Sequence, residues 1–239
     1  MNWLTKLFGA AAGRQQADLS AEQCEVVARW RQLPAADLSM PHADTRYVVV
    51  DVESSGLNMK KDRLISIGAV ALVNGRLDFN DEFQVVLRQE QVSTHANILI
   101  HGIGGAAQSG GVDPFEGLLA FLEYVGKAPL VAYHAFFDQS MIGKAMREYL
   151  GMELDQRWID LAWVLPDFFD LRGDTNVALD DWLRHFGIEN ILRHNAVSDA
   201  YATAKLLQVA IAGGQRKGAT SPASFMRIEK SRRWMYESH

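Results

Sequence analysis

Residues 47–53 read YVVVDVE. A tyrosine and three consecutive valines suit a central strand buried on both faces. Such a strand has little room for charge, yet this one ends in two carboxylates, Asp51 and Glu53. The strand period of two points both from the same face. Acids at the end of a central strand lie at the sheet's rim, where ligands bind in open α/β sheets. On an exposed edge strand the same Asp-x-Glu is usually only a solvated face. The apolar lead-in shifts the reading towards a site.

The surrounding pattern sets the fold class. RLISIGAVAL (63–72) and RLDFNDEFQVVL (76–87) read as two further strands, with a hairpin signal at VNG between them. VDPFEGLLAFLEYVG starts a helix at Asp113, with Pro114 in first position and Glu116 three after the cap. PLVAY is a short buried strand, and FDQSMIGKAMREYL is a helix ended by Gly151. RWIDLAWVL fits either strand or helix. ALDDWLRHFG is a helix stopped by Gly187, and SDAYATAKLLQVAIAGG one stopped by a glycine pair. Strands in succession followed by alternating helices and a returning strand give a mixed sheet with helices packed on it, an α/β domain. We place this domain at residues 46–213. Residues 1–45 form a helical extension and linker, in which Ser20 and Gln23 make a capping box. Trp3, Leu4, Leu7 and Phe8 share one face of a short helix there. Residues 214–239 form a basic tail.

Two more acids stand where helices begin. Asp138 follows the buried strand PLVAY, and Asp199 lies in HNAVSDAYATAKLL, five residues after His194. Singly, each reads as well as a helix cap. Jointly, four acids fall at strand ends or helix starts. If they converge they repel: two carboxylates about 4 Å apart cost roughly 4 kcal/mol at an effective dielectric near 20. Either some protonate or divalent cations sit between them. All-oxygen ligation suits Mg²⁺ or Mn²⁺. The net charge of −5 argues against gripping long nucleic acid by bulk electrostatics, but carboxylates of a metal site themselves lower the count. One cysteine, Cys24, fits a reducing compartment. There is no run of about 18 apolar residues, and the N-terminus makes a poor signal peptide. A cytoplasmic protein without a membrane partner is expected.

The ordered set VVVDVESSGLN, RLISIGAVAL, ILIHGI, VAYHAFFD and HNAVSD resembles the DEDDh 3′–5′ exonucleases, a family that includes the proofreading epsilon subunit of bacterial DNA polymerase III. The resemblance runs from about Tyr47 to Ala212. It implies a ribonuclease H-like fold. It also implies two divalent cations, with Asp51, Glu53 and Asp199 on one, and Asp51 bridging to a second that Asp138 supports largely through water. His194 becomes the general base. Ser54, Ser55, Gly56 and Leu57 line the pocket for the terminal nucleotide, with Leu57 a wedge against its base. His101 is a candidate contact to sugar or phosphate. Phe136 is a candidate for stacking on a base, although a core position is the favoured reading for both Phe136 and Phe137. The chain departs from the family at His134, where asparagine is usual. The segment GGAAQSGG after HGI predicts a loose substrate rim.

The implied activity is hydrolysis of phosphodiesters from the 3′ end of single-stranded or frayed DNA, releasing nucleoside monophosphates, with proofreading as one use the resemblance suggests. DNA is favoured over RNA as the partner. RNA trimming by the same fold is the first alternative. A recruited nucleic-acid or polymerase-binding module with little activity is the second. A polymerase or clamp would dock through residues 1–45 or the basic tail. An aspartate-nucleophile phosphatase is disfavoured, since it typically uses Asp-x-Asp and Glu53 breaks that pattern.

Overall fold

The computed structural model describes residues 19–170 and 177–238. The helix expected around Trp3, Leu4, Leu7 and Phe8 lies outside the described residues. Strands β1 (Tyr47–Ser54), β2 (Leu64–Val73), β3 (Arg76–Val86), β4 (Leu130–Ala132) and β5 (Trp158–Asp160) form one sheet in the order β3-β2-β1-β4-β5. The first three are antiparallel neighbours; β4 and β5 run parallel to β1. The turn between β2 and β3 holds Asn74 and Gly75 at φ of +53° and +70°. That left-handed pair is what a tight hairpin demands. β1 is central, as its apolar run predicts, and both faces are buried.

Alternation along β1 feeds two cores. Val48, Val50 and Val52 pack into one layer, with α1 (Ala21–Gln32), α4 (Pro114–Val125) and α5 (Phe136–Tyr149). Tyr47 and Val49 face the other, with α6 (Leu161–Phe168), α7 (Leu179–Phe186) and α8 (Ala196–Arg216). Asp51 and Glu53 continue the Tyr47–Val49 row. They therefore point towards α8.

RWIDLAWVL turns out to be both readings in sequence: β5 ends at Asp160, which caps α6 by accepting from Ala162 N–H at 3.0 Å. Gln23 completes the expected box with Ser20. Asp113 caps α4, but Glu116 does not close a box; it accepts from Gln23 Nε2 at 2.7 Å and ties α4 to α1.

Three expectations are corrected. The glycine pair does not end α8, which runs on to Arg216. Gly213 and Gly214 serve close packing: a Cβ on either would lie 2.7 Å from Phe169 or 2.8 Å from Phe225. The segment read as a basic tail holds helix α9 (Pro222–Glu237), whose Phe225 is fully buried in the second core. The segment read as a linker is packed too. His42 is buried, with Nδ1 2.5 Å from Tyr47 Oη, and its N–H donates to the Thr220 carbonyl. No described helix is long and apolar enough to cross a membrane.

Candidate active site

The site starts from a missing side chain. Asp51 on β1 pairs with Gly68 on β2. A Cβ on Gly68 would lie 2.3 Å from the Ala196 carbon and the Val197 nitrogen. Only glycine lets the first turn of α8 sit directly on the sheet beside Asp51. That contact carries Asp199, one turn on, to the acids of β1. Carboxylate oxygens of Asp51, Glu53 and Asp199 all lie within 4.8 Å of one another.

Asp138 comes from the opposite layer, in the first turn of α5. It is buried, and its Oδ1 accepts from Val52 N–H at 3.1 Å, between the two β1 acids. It lies outside the tight trio but faces Asp51, whose proton affinity it raises. The four acids thus straddle the end of β1.

Their electrostatics are those of a site short of positive charge. Burial first, and then the neighbouring carboxylates, hold Asp51 well above the ordinary carboxylate range. Glu53 is pushed up to about 8, by burial and then by Asp199. Burial also raises Asp138, against the pull of its backbone hydrogen bonds. Asp199 is 2 % exposed and well supplied with donors. Arg193 Nη1 and His194 N–H both reach its Oδ2 at 3.0 Å, and Asn190 Nδ2 donates to its Oδ1. Arg193 also pairs with Asp180 of α7 at 2.9 Å. Sequence reasoning missed Asn190 and Arg193. The one available signal was a cation next to His194 in an otherwise acidic constellation.

His194 is exposed beside Asp199 at φ +62°. Its backbone anchors on Asp199 while its imidazole is left to solvent. The β1 ladder shifts register between Glu53 and Ser54, and the chain then turns into the SSGLN loop. Asp62 organises that loop, accepting from Ser55 Oγ at 2.9 Å and Asn58 N–H at 2.8 Å. A Cβ on Gly56 would meet the same carboxylate at 2.6 Å. Ser54 Oγ donates to the Gly56 carbonyl, and Lys144 of α5 donates to the Asp62 carbonyl at 2.7 Å. Leu57 is left 86 % exposed at the tip.

Phe136 is 63 % exposed, which corrects the favoured core reading; Phe137 does pack on the first core. Position explains the split. Phe136 is the first residue of α5 and stands at the rim, while Phe137 turns inward. His101 is turned inward instead. It ends α2 (His95–His101), is buried, and spends both nitrogens on the fold: Nδ1 accepts from Ile103 N–H at 3.0 Å and Nε2 lies 3.3 Å from Ser93 Oγ. The glycine-rich segment after it is not loose. It forms α3 (Gly105–Ser109), pinned by the fully buried Gln108, which accepts from Ser93 N–H and donates to the Ile103 carbonyl.

Residues 48–207 match the RNase_T exonuclease family model. The chain belongs to this family, among the DEDDh 3′–5′ exonucleases. The exonuclease domain is 31 % identical over 169 residues to a PolC-type DNA polymerase III of Clostridium perfringens, covering 69 % of this chain and 11 % of the relative. Against the PolC-type enzyme of Listeria welshimeri it is 33 % identical, covering 68 % and 11 %. The chain thus spans about a tenth of the length of these polymerases. Among solved structures, Escherichia coli exonuclease I with a dT13 oligonucleotide superposes with a TM-score of 0.61 at 16 % identity, covering 72 % of this chain and 42 % of that one. Exonuclease X with 5′-overhanging duplex DNA gives 0.58 at 18 % identity, covering 77 % and 99 %. These neighbours share the fold of the exonuclease domain, a mixed sheet with helices around it.

Proposed function

We propose that the chain is a metal-dependent 3′–5′ exonuclease. It acts on single-stranded or frayed DNA 3′ ends and releases nucleoside monophosphates. The observation that carries this reading is the convergence of Asp51, Glu53 and Asp199 oxygens within 4.8 Å, with Asp138 buried beside them. The donor set is all oxygen, and burial and then neighbouring carboxylates raise the proton affinity of Asp51 and Glu53, a shortage of positive charge that suits Mg²⁺ or Mn²⁺. Asp51, Glu53 and Asp199 would hold one cation, with Asp51 and Asp138 serving a second. Bound there, such cations activate water and stabilise negative charge on the departing oxygen.

The chain's own residues do the rest. His194 takes the proton of the attacking water, a task to which an imidazole is suited. Its backbone bond to Asp199 ties down the loop while the residue stays exposed to solvent. Leu57 and Phe136 give exposed apolar surface on which the terminal bases rest. Ser54 to Gly56 present a loop kept rigid by Asp62, so the nucleotide end meets a preformed bed.

The preference for DNA is supported by the relatives, which are DNA polymerases by name, and by fold neighbours seen with DNA oligonucleotides. Work alongside a polymerase in a cytoplasmic setting is part of the same proposal. The test is a time course on end-labelled single-stranded DNA, single-stranded RNA and a mismatched primer duplex, with Mg²⁺, Mn²⁺ or chelator. Shortening of the DNA from its 3′ end, abolished by chelator, is expected. Faster loss of RNA would move the chain to RNA trimming. No digestion of any substrate would reject the enzyme and favour a binding module.

A further inference from the structure

Helix α9 reaches the candidate active site through a buried acid that the four-acid scheme does not use. Asp160 ends β5 and is 2 % exposed. Its Oδ1 accepts from Ala162 N–H and from His134 N–H at 2.9 Å. Its Oδ2 accepts from Arg233 Nη2 at 2.8 Å. Its own N–H donates to Glu229 Oε2 at 3.0 Å, and Glu229 Oε1 accepts from Arg233 Nε at 3.0 Å. Arg233 also lies over the Trp163 ring of α6, 4.8 Å from its centroid. Glu229 and Arg233, one turn apart on α9, thus grip both the backbone and the carboxylate of Asp160.

The other end of this chain of contacts is the second-motif loop. His134 sits at φ +60°, a conformation that a non-glycine residue holds only when its surroundings impose it. The bond from its N–H to Asp160 is one such constraint. His134 is followed directly by the first turn of α5, which carries Asp138. A buried carboxylate without its cation is costly, and the Asp160 charge already acts on Asp138. Removing Arg233 therefore both frees the loop and leaves an unbalanced charge facing the site.

We propose that Glu229 and Arg233 are positioning residues: α9 braces Asp160, Asp160 fixes the His134 turn, and the turn sets where Asp138 stands. This inference rests on the proposed exonuclease reading for its catalytic consequence, and on geometry alone for the brace. It gives the basic C-terminal segment a role inside the molecule. Arg233 is then not a surface charge awaiting phosphate.

The test compares Arg233→Ala, Arg233→Lys and, as a control for general loss of α9 packing, Arg232→Ala. Arg232 pairs with Asp167 outside the brace. Hydrogen exchange in the full chain should quicken in the peptide spanning 133–138 for Arg233→Ala, with β1 peptides unchanged and Arg232→Ala at wild-type rates there. Titration with Mn²⁺ should show the Asp138-dependent binding event weakened about 10- to 100-fold, the usual span for residues behind a metal ligand. Turnover should fall with KM nearly constant, and Arg233→Lys should recover part of each loss. In an Asp138→Ala background, Arg233→Ala should weaken Mn²⁺ binding no further. Exchange at 133–138 equal to that of Arg232→Ala would overturn the brace, whether or not the chain proves to be a nuclease. Quickened exchange with unchanged Mn²⁺ binding and turnover would overturn its positioning role. An inactive wild type with quickened exchange and coupled Mn²⁺ binding would leave the brace standing and reject only the exonuclease reading.

Discussion

Gly68→Ala is the smallest change that should take the acids apart. It adds one methyl and no charge, at the position that pairs with Asp51 across the β1–β2 ladder. Yet that Cβ would lie 2.3 Å from backbone atoms of Ala196 and Val197, where ordinary contact begins near 3.4 Å. The atoms in the way are backbone, so no rotamer change relieves the clash. Either β2 bows or the start of α8 lifts by roughly 1 Å, a misplacement that can cost about 10²-fold in rate when it reaches a reacting group. Overpacking of this kind costs about 1–3 kcal/mol of stability. The cost should be at the upper end, because α8 packs against both β1 and β2 along its length. Denaturant unfolding gives the stability loss, and nuclease assays with Mn²⁺ titration give the functional one. Gly104→Ala is the control, since nothing lies within 4 Å of the added Cβ. The expected result is a folded Gly68→Ala protein with turnover down about 10²-fold and weakened Mn²⁺ binding. Wild-type turnover and affinity in that variant would refute the claim that close approach of α8 assembles the site.

His194→Ala should lower turnover roughly 10²–10⁴-fold while leaving Mn²⁺ affinity near wild type, as read by calorimetry beside the steady-state assay. The metal-free protein should lose stability as pH rises. Glu53 is held up to about 8 in the fold against an ordinary value of 4.5, so between those values the folded state keeps a proton that the unfolded state has lost. Its favourable contribution is full below the lower value and gone above the higher one. Thermal melts with chelator should show this fall, and Mn²⁺ should raise Tm more at pH 8 than at pH 5. Arg193→Ala removes the cation on Asp199 and should deepen the high-pH loss in the same melts. Gln108→Ala should cost about 1–3 kcal/mol per buried group left unpaired, measured by urea titration, since Ser93 N–H and the Ile103 carbonyl both lose their partner.

Much of this site was legible because it depends on periodicity. A two-residue period puts Asp51 and Glu53 on one face whatever else the chain does. Helix-start chemistry likewise marks Asp138 and Asp199. What periodicity does not carry is the third dimension. Nothing in IGAVAL says that Gly68 is the floor beneath α8, and the pair Gly213–Gly214 carries the same letters as a helix stop while meeting two phenylalanines. Phe136 and Phe137 are adjacent and identical in type, so composition cannot tell which one faces the rim. His101 shows the reverse ambiguity: a histidine in a motif invites a functional role, and here its two nitrogens meet Ser93 and Ile103.

Asp160 and Arg233 are 73 residues apart in sequence, and their contact has no local signature at all. It nevertheless follows a rule visible elsewhere in the molecule. Each buried carboxylate near the rim is given specific donors: Val52 N–H for Asp138, Arg193 and Asn190 for Asp199, Arg233 and two backbone N–H groups for Asp160. Asp51 and Glu53 are the ones pushed up chiefly by burial and then by the carboxylates of Asp138 and Asp199. Hydrogen-bond donors are thus concentrated on Asp138, Asp199 and Asp160, and positive charge is in deficit at the acids on β1. A divalent cation is the group whose charge and oxygen preference fit that deficit. The asymmetry, more than the count of acids, is the reason to read this rim as a metal-dependent site.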